Sequence, residues 1–486
     1  MFCFMKNSLL PHCFPVTCHT DYVGKDSTFV AIKGMKEDGI AYIPHALERG
    51  AHKIVIEEST ILSDEIKKLI QEKNAELIVV PHARRALAQL SAQALNYPAR
   101  SLKIIAITGT KGKSTTAFLT EHILKIAGYR TALISTVKKR ILDHDIPCEL
   151  TTPQPDFLHV FFDACKKHSI DYVIMEVAAQ GTSLYRVETL EFERAVFTNF
   201  SLEHSEFYEN LDSYFAAKAA VFTMVKPSGT MIFNADDERV FEFYKNKGAG
   251  HTFGLREGAT LRASIDYKEP LSLSATFFTH GKDYAIHAPA LLGTFNVYNC
   301  LAAASLAHTL GIGYTVIQEA FLTFKGTPGR LERYMLPNGA LGCIDYAHNP
   351  SSFEAILSTL RVLTPHLIVV FGAGGDRDLL KRPLMGALAA RIADMVILTS
   401  DNPRSEDPYA IIQAIKEGIQ GEDMAKVSIE IDREVAIKKA YTHSKKNSII
   451  ALLGKGPDEY QIIQGKKYPF SEAAILRSFQ KHEIII

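Results

Sequence analysis

The sequence predicts a protein of three consecutive α/β domains. Its 486 residues exceed what one hydrophobic core organises, and ordinary domain sizes give about three units. Short apolar runs alternate with helical patterns through most of the chain, which is the order of βαβ units. Two segments rich in turn-forming residues, 96–101 and 326–330, interrupt that alternation. We therefore expect domains at residues 1–98, 99–327 and 328–486, with hinges near Asn96 and Gly326.

The apolar and helical patterns assign elements to each domain in turn. The first domain shows strand, helix, strand, helix and strand at 29–32, 45–49, 54–56, 64–72 and 77–80. The second opens with a buried strand at 102–107 and continues with strands at 131–135, 172–176 and 194–199. Its polar, alternating stretch at 261–287 predicts added β-structure. The third has strands at 367–371, 395–399 and 448–453, and we expect a doubly wound sheet.

Composition excludes several classes of partner. Lys plus Arg and Asp plus Glu both number 54, so no global field attracts nucleic acid or anionic lipid. No apolar run approaches the roughly 20 residues of a membrane span, and the N-terminus lacks the charge order of a secretory signal. Seven scattered cysteines without a Cys-x-x-Cys pair indicate reduced thiols. These features predict a cytoplasmic protein that holds any anionic ligand locally.

A glycine-containing turn between the strand at 102–107 and a helical pattern predicts a nucleotide phosphate site. Glycines let backbone N–H groups approach a polyphosphate, the next helix adds its N-terminal dipole, and a lysine adds charge. Because Ile107 stands where the common P-loop has its first glycine, this is not the usual GTPase or kinase loop. The predicted nucleotide-binding residues are Gly109, Thr110, Lys111, Gly112, Lys113, Ser114 and Thr115.

Three side chains of this domain are candidate ligands for Mg²⁺, which prefers hard donors. Ser114 follows the phosphate-binding lysine, Glu176 ends an apolar strand, and His204 follows the next strand. Strands of one parallel sheet present their carboxyl ends at the same edge. We therefore expect these three residues near the bound nucleotide.

A series of motifs, in order, resembles the Mur ligases, and within them the branch of UDP-N-acetylmuramoyl-tripeptide synthetases. The resemblance runs from about residue 20 to the C-terminus. It is carried by the segments 108–115, Met175-Glu-Val, Phe197-Thr-Asn, Tyr214-Phe-Ala-Ala-Lys218, 293–299, Pro328-Gly-Arg330, Asp345-Tyr-Ala-His348 and 374–378. It implies a UDP-substrate-recognition domain, a central ATP-binding domain with a P-loop-type parallel sheet, and a Rossmann-like amino-acid-binding domain.

The resemblance also implies a reaction, its cofactors and its residues. ATP phosphorylates the carboxylate of a UDP-muramoyl-dipeptide, and an amino acid's amine attacks the acyl phosphate, in peptidoglycan precursor synthesis. By matched motif, Lys113, Glu176, His204 and a carbamylated Lys218 are catalytic, and Ser114, Glu176, His204 and Lys218 hold Mg²⁺. Asn296, Arg330, Asp345 and His348 surround the nucleotide, and Thr151, Thr152 and Arg186 contact the UDP-substrate. The partners are thus small molecules, and we expect a monomer.

Charge in the third domain favours meso-diaminopimelate as the added amino acid. Arg377 and Arg404 follow two strands, and a guanidinium can grip a second carboxylate in a bidentate fork. Asp401-Asn402-Pro403-Arg404 resembles the family form that selects this diamino acid. Gly454 and Asp458 occupy the family's Gly-Lys-Gly-His-Glu region, where an acidic residue holds the distal ammonium. The predicted amino-acid-binding residues are Arg377, Asp401, Asn402, Arg404, Gly454 and Asp458.

The acceptor side departs from the family pattern. His19-Thr20-Asp21 replaces a usual Asp-Ser-Arg, Gln154 replaces an Asp, and Ala178 and Ala179 replace two serines. A divergent tripeptide synthetase and a paralogue with another acyl substrate, such as a folate or polyamino-acid precursor, both fit these changes. A catalytically silent homologue in a cell-wall complex is opposed by the retained nucleotide residues, and a nucleic-acid-binding ATPase by the absence of a basic stripe.

Overall fold

The computed structural model of the chain describes residues 9–34, 37–201, 207–266 and 270–481. Its described residues form two compact units, which we treat separately. The first unit takes in residues up to Ser264 together with Thr276–Tyr284 and Tyr298–Phe321, and the second takes in Ile265–Ala275, Ala285–Val297 and Leu322 onwards. Among the described residues, no helix combines the length and apolarity needed to cross a membrane.

The N-terminal part of the first unit is a small parallel sheet in the order β1-β2-β3-β4. Its strands are β1 (Val16–Thr17), β2 (Thr28–Val30), β3 (Lys53–Glu57) and β4 (Glu76–Val80). Its helices are α1 (Ile43–Glu48), α2 (Asp64–Glu72) and α3 (Ala83–Ala94). Alternate residues pack on opposite faces, with Ile54 in one apolar cluster and Val55 in the other. The predicted βαβ pattern is confirmed here.

The segment 96–101, predicted as a hinge between domains, contains a buried turn. Pro98–Ser101 forms a 3₁₀ helix, and both Pro98 and Ala99 are buried. Ala99 belongs to the core cluster of the central sheet, and the Arg100 guanidinium lies 4.1 Å from the Tyr97 ring centroid. The sequence indicated where the chain passes from the N-terminal sheet to the central sheet. The structure adds that this segment is packed into the protein, because Pro98 and Ala99 are buried.

The central sheet has the order β12-β11-β10-β5-β9-β6-β7-β8, parallel from β12 to β6 and antiparallel at β7 and β8. Its strands are β5 (Lys103–Thr108), β6 (Thr131–Ile134), β7 (Lys139–Ile141), β8 (His144–Asp145), β9 (Tyr172–Glu176), β10 (Phe192–Phe197), β11 (Val225–Asn234) and β12 (His251–Gly254). Its helices are α4 (Lys113–Ile126), α5 (Pro155–Lys167), α6 (Ala179–Ser183), α7 (Leu211–Ala219) and α8 (Glu238–Lys247). Strands β5 and β9 are nearly continuous apolar runs because both sheet faces are covered, and in β10 the apolar run is confined to Ala195–Phe197.

The predicted added β-structure follows β12. It consists of β13 (Leu261–Asp266), β14 (Leu273–Thr279) and β15 (Lys282–Ala288), and the boundary between the two units passes through these strands. Helices α9 (Thr294–Thr309) and α10 (Tyr314–Thr323) come next. The alternating burial of β14 matches its alternating sequence.

The C-terminal sheet of the second unit has the order β16-β17-β21-β18-β19-β20, parallel except for β16. Its strands are β16 (Arg330–Met335), β17 (Leu341–Asp345), β18 (His366–Phe371), β19 (Met395–Leu398), β20 (Val427–Ile429) and β21 (Ser448–Leu453), with a hairpin of β22 (Tyr460–Ile463) and β23 (Lys466–Pro469). Its helices are α11 (Pro350–Arg361), α12 (Lys381–Ile392), α13 (Pro408–Lys416), α14 (Arg433–His443) and α15 (Glu472–Lys481). Helices α11 to α13 cover one face and α14 and α15 the other, which confirms the doubly wound prediction.

Candidate active site

The turn between β5 and α4 has the shape of a phosphate cradle. Gly109 and Gly112 adopt positive φ values of 138° and 83°, a region that favours glycine. A Cβ on Gly109 would lie 2.0 Å from Thr198 Oγ1, and one on Gly112 would lie 2.3 Å from Asn299 Oδ1. Helix α4 begins at Lys113, so its N-terminal dipole is directed at the loop. Side chains other than hydrogen at these two positions would close the cradle.

Two residues that follow β10 hold the loop in place. Asn199 Oδ1 accepts a hydrogen bond from the Lys111 N–H at 2.9 Å, and Asn199 Nδ2 donates to the Lys111 carbonyl at 3.0 Å. Thr198 Oγ1 donates to the same carbonyl at 2.7 Å. The backbone of the loop is therefore fixed by neutral groups on the neighbouring strand end.

Two lysines meet at one carbonyl of the loop. Lys113 Nζ donates to the carbonyl oxygens of Gly109 and Thr110 at 2.9 and 2.8 Å. Lys218 Nζ, from α7, donates to the Gly109 carbonyl at 2.7 Å and lies 4.5 Å from the Tyr214 ring centroid. Lys218 is only 2% exposed, whereas a surface lysine is solvated. The structure thus brings Lys218 to the phosphate loop, 105 residues along the chain from Lys113.

The Glu176 carboxylate is fully buried at the end of β9. Its Oε1 accepts from the Thr136 N–H at 3.0 Å, and its Oε2 accepts from Thr136 Oγ1 at 3.1 Å. In the sheet, Glu176 is the register partner of Ile107, two residues before Gly109. The carboxylate therefore lies at the same sheet edge as the phosphate loop, as the strand pattern predicted.

The predicted UDP-substrate residues form a hydrogen-bonded chain that starts at Thr136. Its hydroxyl lies 2.9 Å from the Thr151 hydroxyl, and Thr152 Oγ1 donates to the Glu176 carbonyl at 3.0 Å. Arg186 Nη1 donates to the Thr152 carbonyl at 2.8 Å. Burial and the nearby Arg84 cation lower the pKa of Arg186. The structure brings Thr151, Thr152 and Arg186 together beside Glu176.

His204 lies outside the described residues, so its predicted place near the metal is not described. The substituted acceptor-side residues are described. His19 and Asp21 have side chains 60% and 65% exposed, and His19 Nδ1 accepts from the Asp21 N–H at 3.2 Å. Ala178 donates its N–H to Thr152 Oγ1 at 2.9 Å, so its backbone takes part in the threonine chain.

In the second unit, the residues matched to the nucleotide site surround the start of β16 and the end of β17. Asp345 is buried and accepts from the Leu331 and Ala347 N–H groups, both at 2.7 Å. Burial raises its pKa, and Arg330 opposes that rise. The Arg330 guanidinium lies 4.8 Å from the Tyr346 ring centroid, and His348 Nδ1 lies 2.7 Å from the Tyr346 carbonyl oxygen. Asn296 is buried and donates to the Leu292 carbonyl at 2.8 Å.

Arg377 and Arg404 meet at Gly374. A Cβ on Gly374 would lie 2.8 Å from Arg404 Nη1 and 3.7 Å from Arg377 Cγ. Arg404 Nη1 donates to the Gly375 carbonyl at 2.6 Å. The structure thus brings the side chains of Arg377 and Arg404, from two different loops, to one glycine.

The remaining amino-acid residues form a network around Asn402. Its Nδ2 donates to Asp458 Oδ2 at 3.3 Å, and its Oδ1 accepts from Lys455 Nζ at 3.2 Å. Lys455 is fully buried and forms an ion pair with Asp401 at 3.7 Å. A Cβ on Gly454 would lie 2.5 Å from Asp401 Oδ2. Burial raises the pKa of Asp458 and lowers that of Lys455.

Sequence reasoning missed three residues that organise these sites: Thr136, Asn199 and Lys455. Thr136 follows β6 and Asn199 follows β10, so both stand at carboxyl ends of parallel strands, where the same rule that selected Glu176 applies. Lys455 lies between Gly454 and Gly456, in a motif from which the acidic residue Asp458 was predicted as the binding residue instead.

Comparison with known proteins decides the family. Residues 16–94 match "Mur ligase family, catalytic domain", residues 107–307 match "Mur ligase middle domain", and residues 329–456 match "Mur ligase, glutamate ligase domain". A relative from Syntrophomonas wolfei is 35% identical over 451 residues, covering 92% of this chain and 90% of its own. The chain belongs to the Mur ligase family. The predicted family and three-domain α/β architecture are confirmed.

This Mur ligase is similar over nearly its whole length to proteins with one shared name. The Syntrophomonas wolfei relative is named UDP-N-acetylmuramoyl-L-alanyl-D-glutamate–2,6-diaminopimelate ligase. A relative of the same name from Aquifex aeolicus is 37% identical, covering 95% of this chain and 92% of its own. A solved structure of an enzyme with that name is 28% identical, with a TM-score of 0.65 and coverage of 97% and 95%. This Mur ligase is an ATP-dependent ligase, as its sequence predicted.

Proposed function

We propose that this Mur ligase joins the carboxylate of UDP-N-acetylmuramoyl-L-Ala-D-Glu to an amine of meso-diaminopimelate, using ATP, in peptidoglycan precursor synthesis. Phosphoryl transfer converts the carboxylate to an acyl phosphate. The amine then attacks the acyl carbon, the C–N bond forms, and phosphate leaves. We assign the reaction to the cytoplasm and to a monomer acting on small molecules.

The observation that carries the choice of amino acid is the pair of arginines at Gly374. A diaminopimelate molecule has one more carboxylate than lysine, and that carboxylate needs a cationic partner when water is removed. Arg404 donates to the Gly375 carbonyl through Nη1, so its guanidinium is oriented by the loop that also carries Arg377. Asp458 supplies the negative charge for the distal ammonium, with Asn402 holding its Oδ2.

The phosphate loop supplies the charge that the first step requires. A carboxylate and a γ-phosphate repel each other, so their approach depends on fixed cations and positioned N–H groups. Gly109 and Gly112 leave room for the polyphosphate, and Lys113 offers an ammonium at the start of α4. Glu176 is buried, and its carboxylate accepts hydrogen bonds from the N–H and the hydroxyl of Thr136.

We propose that Ser114, Glu176, His204 and a modified Lys218 would hold Mg²⁺. A hydroxyl, a buried carboxylate, an imidazole and a carbamate are hard or intermediate donors suited to this ion. When bound, Mg²⁺ neutralises charge on the phosphate oxygens. The residues themselves orient the phosphates and exclude water from the acyl carbon.

Carbamylation of Lys218 is supported by the two ammonium groups at Gly109. Lys113 and Lys218 both donate to one carbonyl oxygen, at 2.9 and 2.7 Å, which places two positive charges close together. Loss of a proton from the Lys218 ammonium gives the amine, whose lone pair forms an N–C bond to CO₂ while a second proton is released to solvent. The product is an anionic carbamate that keeps one N–H to donate. The modification therefore removes a like-charge repulsion and creates a metal ligand.

Phosphate release from ATP tests the proposed function. The assay supplies UDP-N-acetylmuramoyl-L-Ala-D-Glu with meso-diaminopimelate, lysine or no amino acid, and mass spectrometry identifies the product. We expect strong dependence on diaminopimelate and the matching tripeptide. Release with neither amino acid would instead direct attention to the acyl acceptor, beginning with His19 to Asp21, where the chain departs from the family pattern.

A further inference from the structure

A fully buried ion pair lies behind the amino-acid loops of the second unit. Arg433 is the first residue of α14 and is 1% exposed, and Glu472 is the first residue of α15 and is 2% exposed. Arg433 Nε donates to Glu472 Oε1 at 2.9 Å, and Nη2 lies 2.9 Å from the same oxygen.

The other two contacts of the Arg433 guanidinium go to two different loops. Nη1 donates to the Ser400 carbonyl at 3.3 Å, and Nη2 donates to the Leu453 carbonyl at 2.8 Å. Ser400 immediately precedes Asp401 and Asn402, and Leu453 immediately precedes Gly454 and Lys455. One planar group of fixed geometry therefore connects the two backbone points from which the amino-acid loops start.

Stability alone does not explain this pair. A buried salt bridge costs desolvation energy and is often replaced by apolar residues without loss of stability. Here the cost is visible, because burial raises the pKa of Glu472 and its Oε2 accepts no hydrogen bond from any described residue. The pair is costly to bury and contacts both amino-acid loops. Its role is therefore better explained as positioning these loops than as stabilising the fold.

We propose that Arg433, oriented by Glu472, is a positioning residue that fixes the separation of the 401–404 and 454–458 loops and thereby the width of the amino-acid pocket. Its guanidinium sets the distance between the Ser400 and Leu453 carbonyls. The network of Lys455, Asp401, Asn402 and Asp458 then spans the two loops at hydrogen-bond distances. This inference rests on the proposed function for the identity of the amino acid but not for the geometry.

The test separates positioning from folding. The double variant Arg433→Met/Glu472→Leu replaces the pair with apolar side chains of similar length, so neither charge is left unpaired. Thermal unfolding checks that the double variant folds. The single variant Arg433→Lys keeps the positive charge but loses the planar guanidinium that contacts both loops. Arg477→Met is the matched control, since Arg477 lies on the same helix as Glu472 and contacts Tyr334 instead of a loop carbonyl.

We expect the folded double variant and Arg433→Lys to raise the KM for meso-diaminopimelate about tenfold or more. The KM for ATP should stay within about twofold, because the phosphate loop is not altered. Hydrogen exchange should accelerate in peptides covering 399–404 and 453–458 and not in those covering 108–115. The Arg477→Met control should match the native protein in all three measurements.

A folded double variant with native KM values and native exchange at both loops would overturn the proposal. So would an equal rise in the KM for ATP and diaminopimelate, which would indicate general damage. If the native protein makes no amide with diaminopimelate, the proposed function fails, yet the exchange comparison still decides whether Arg433 fixes the two loops.

Discussion

The phosphate loop and the amino-acid loops both follow parallel strands, but they are held by different kinds of group. The phosphate loop is fixed by Thr198 and Asn199, whose neutral side chains bind the backbone of Lys111. The amino-acid loops are fixed by charged groups, with Arg433 behind them and Lys455 between them. Both arrangements satisfy buried backbone groups. Lys113 and Lys218 also donate to the phosphate loop, whereas the amino-acid loops include an ion pair between Lys455 and Asp401.

This difference predicts different sensitivities in the two regions. The hydrogen bonds of Thr198 and Asn199 are neutral, so their contacts with the Lys111 backbone should persist across pH and salt. The amino-acid loops depend on carboxylates and ammonium groups whose pKa values are shifted by burial. Changes that alter charge within this network of Asp401, Lys455 and Asp458 should therefore act mainly on the choice and affinity of the amino acid.

The largest expected effect falls on the phosphate side, at Lys218. Replacing Lys218 with Ala removes the proposed carbamate, and we expect ligase activity to fall about 100-fold or more. Phosphate release with all substrates present measures this. Lys245→Ala is the control, because Lys245 is an exposed lysine on α8. Activity of the Lys218 variant within about fivefold of native, at native stability, would contradict the assigned role.

Arg404→Ala should have the next largest effect and should be confined to the amino-acid side. Loss of the guanidinium removes a charge-assisted contact with the extra carboxylate, so the KM for diaminopimelate should rise about 10- to 100-fold. The KM for lysine should change little, and the preference between the two amino acids should shrink. Arg391→Ala, an exposed arginine on α12, serves as the control. Equal losses for both amino acids would argue against a selective role for Arg404.

Asn199→Ala tests the neutral hydrogen bonds that hold the phosphate loop. It removes two hydrogen bonds that hold Lys111, and we expect the KM for ATP to rise about tenfold. Since both contacts are to uncharged backbone atoms, this ratio should be the same at low and high salt. Asn246→Ala on exposed α8 controls for the substitution. A strongly salt-dependent ratio would show that the loop is held electrostatically after all.

The smallest expected effect is a pH dependence at Asp458. Burial raises the pKa of Asp458, so it gains a proton at a higher pH than an ordinary aspartate and then loses its attraction for the distal ammonium. The KM for diaminopimelate should therefore rise as pH falls, and Asp458→Asn should abolish that dependence.

The contribution of Asp458 to folding stability depends on pH in the opposite direction to its contribution to amino-acid binding. A carboxyl with a raised folded pKa contributes stability that is fully present below its unfolded pKa and is lost as pH rises through its folded pKa. Acidification should therefore weaken amino-acid binding while the Asp458 contribution to folding grows. Unfolding of the native protein and Asp458→Asn at several pH values measures this contribution, and a change of the same sign in both quantities would refute the assignment.

Most of the fold could be predicted from the sequence, because covered parallel strands are continuous apolar runs. Strands β5, β9, β10, β18, β19 and β21 all lie within a residue or two of their predicted positions. The segment at 96–101 was predicted less well. Pro98 indicated a break in helix, but nothing local reveals that Ala99 packs into the core of the central sheet.

The candidate site was predictable where one residue carries its own local signal. Gly109, Gly112 and Lys113 stand in a motif, and Glu176 ends an apolar strand. Asn199 follows a predicted strand and could have been selected by the rule that selected Glu176, whereas Arg433 acts through backbone atoms far along the chain, on pairing that composition and spacing do not encode. Lys218 could be selected only through the family resemblance, since a lysine on a short helix is ordinarily a solvated residue. The predicted domain limits, site assignments and role of His204 stay predictions.

The position of Lys113 also bears on which anions the loop will retain. Its ammonium already donates to the Gly109 and Thr110 carbonyls, so an incoming oxygen must compete with two acceptors of the loop itself. A small anion that offers only a few oxygens exchanges one set of bonds for another with little net gain. A nucleotide's linked phosphates also engage the neighbouring N–H groups, and that surplus favours them. The loop therefore favours linked phosphates over a single phosphate. Inorganic phosphate released by the reaction should be a poor inhibitor.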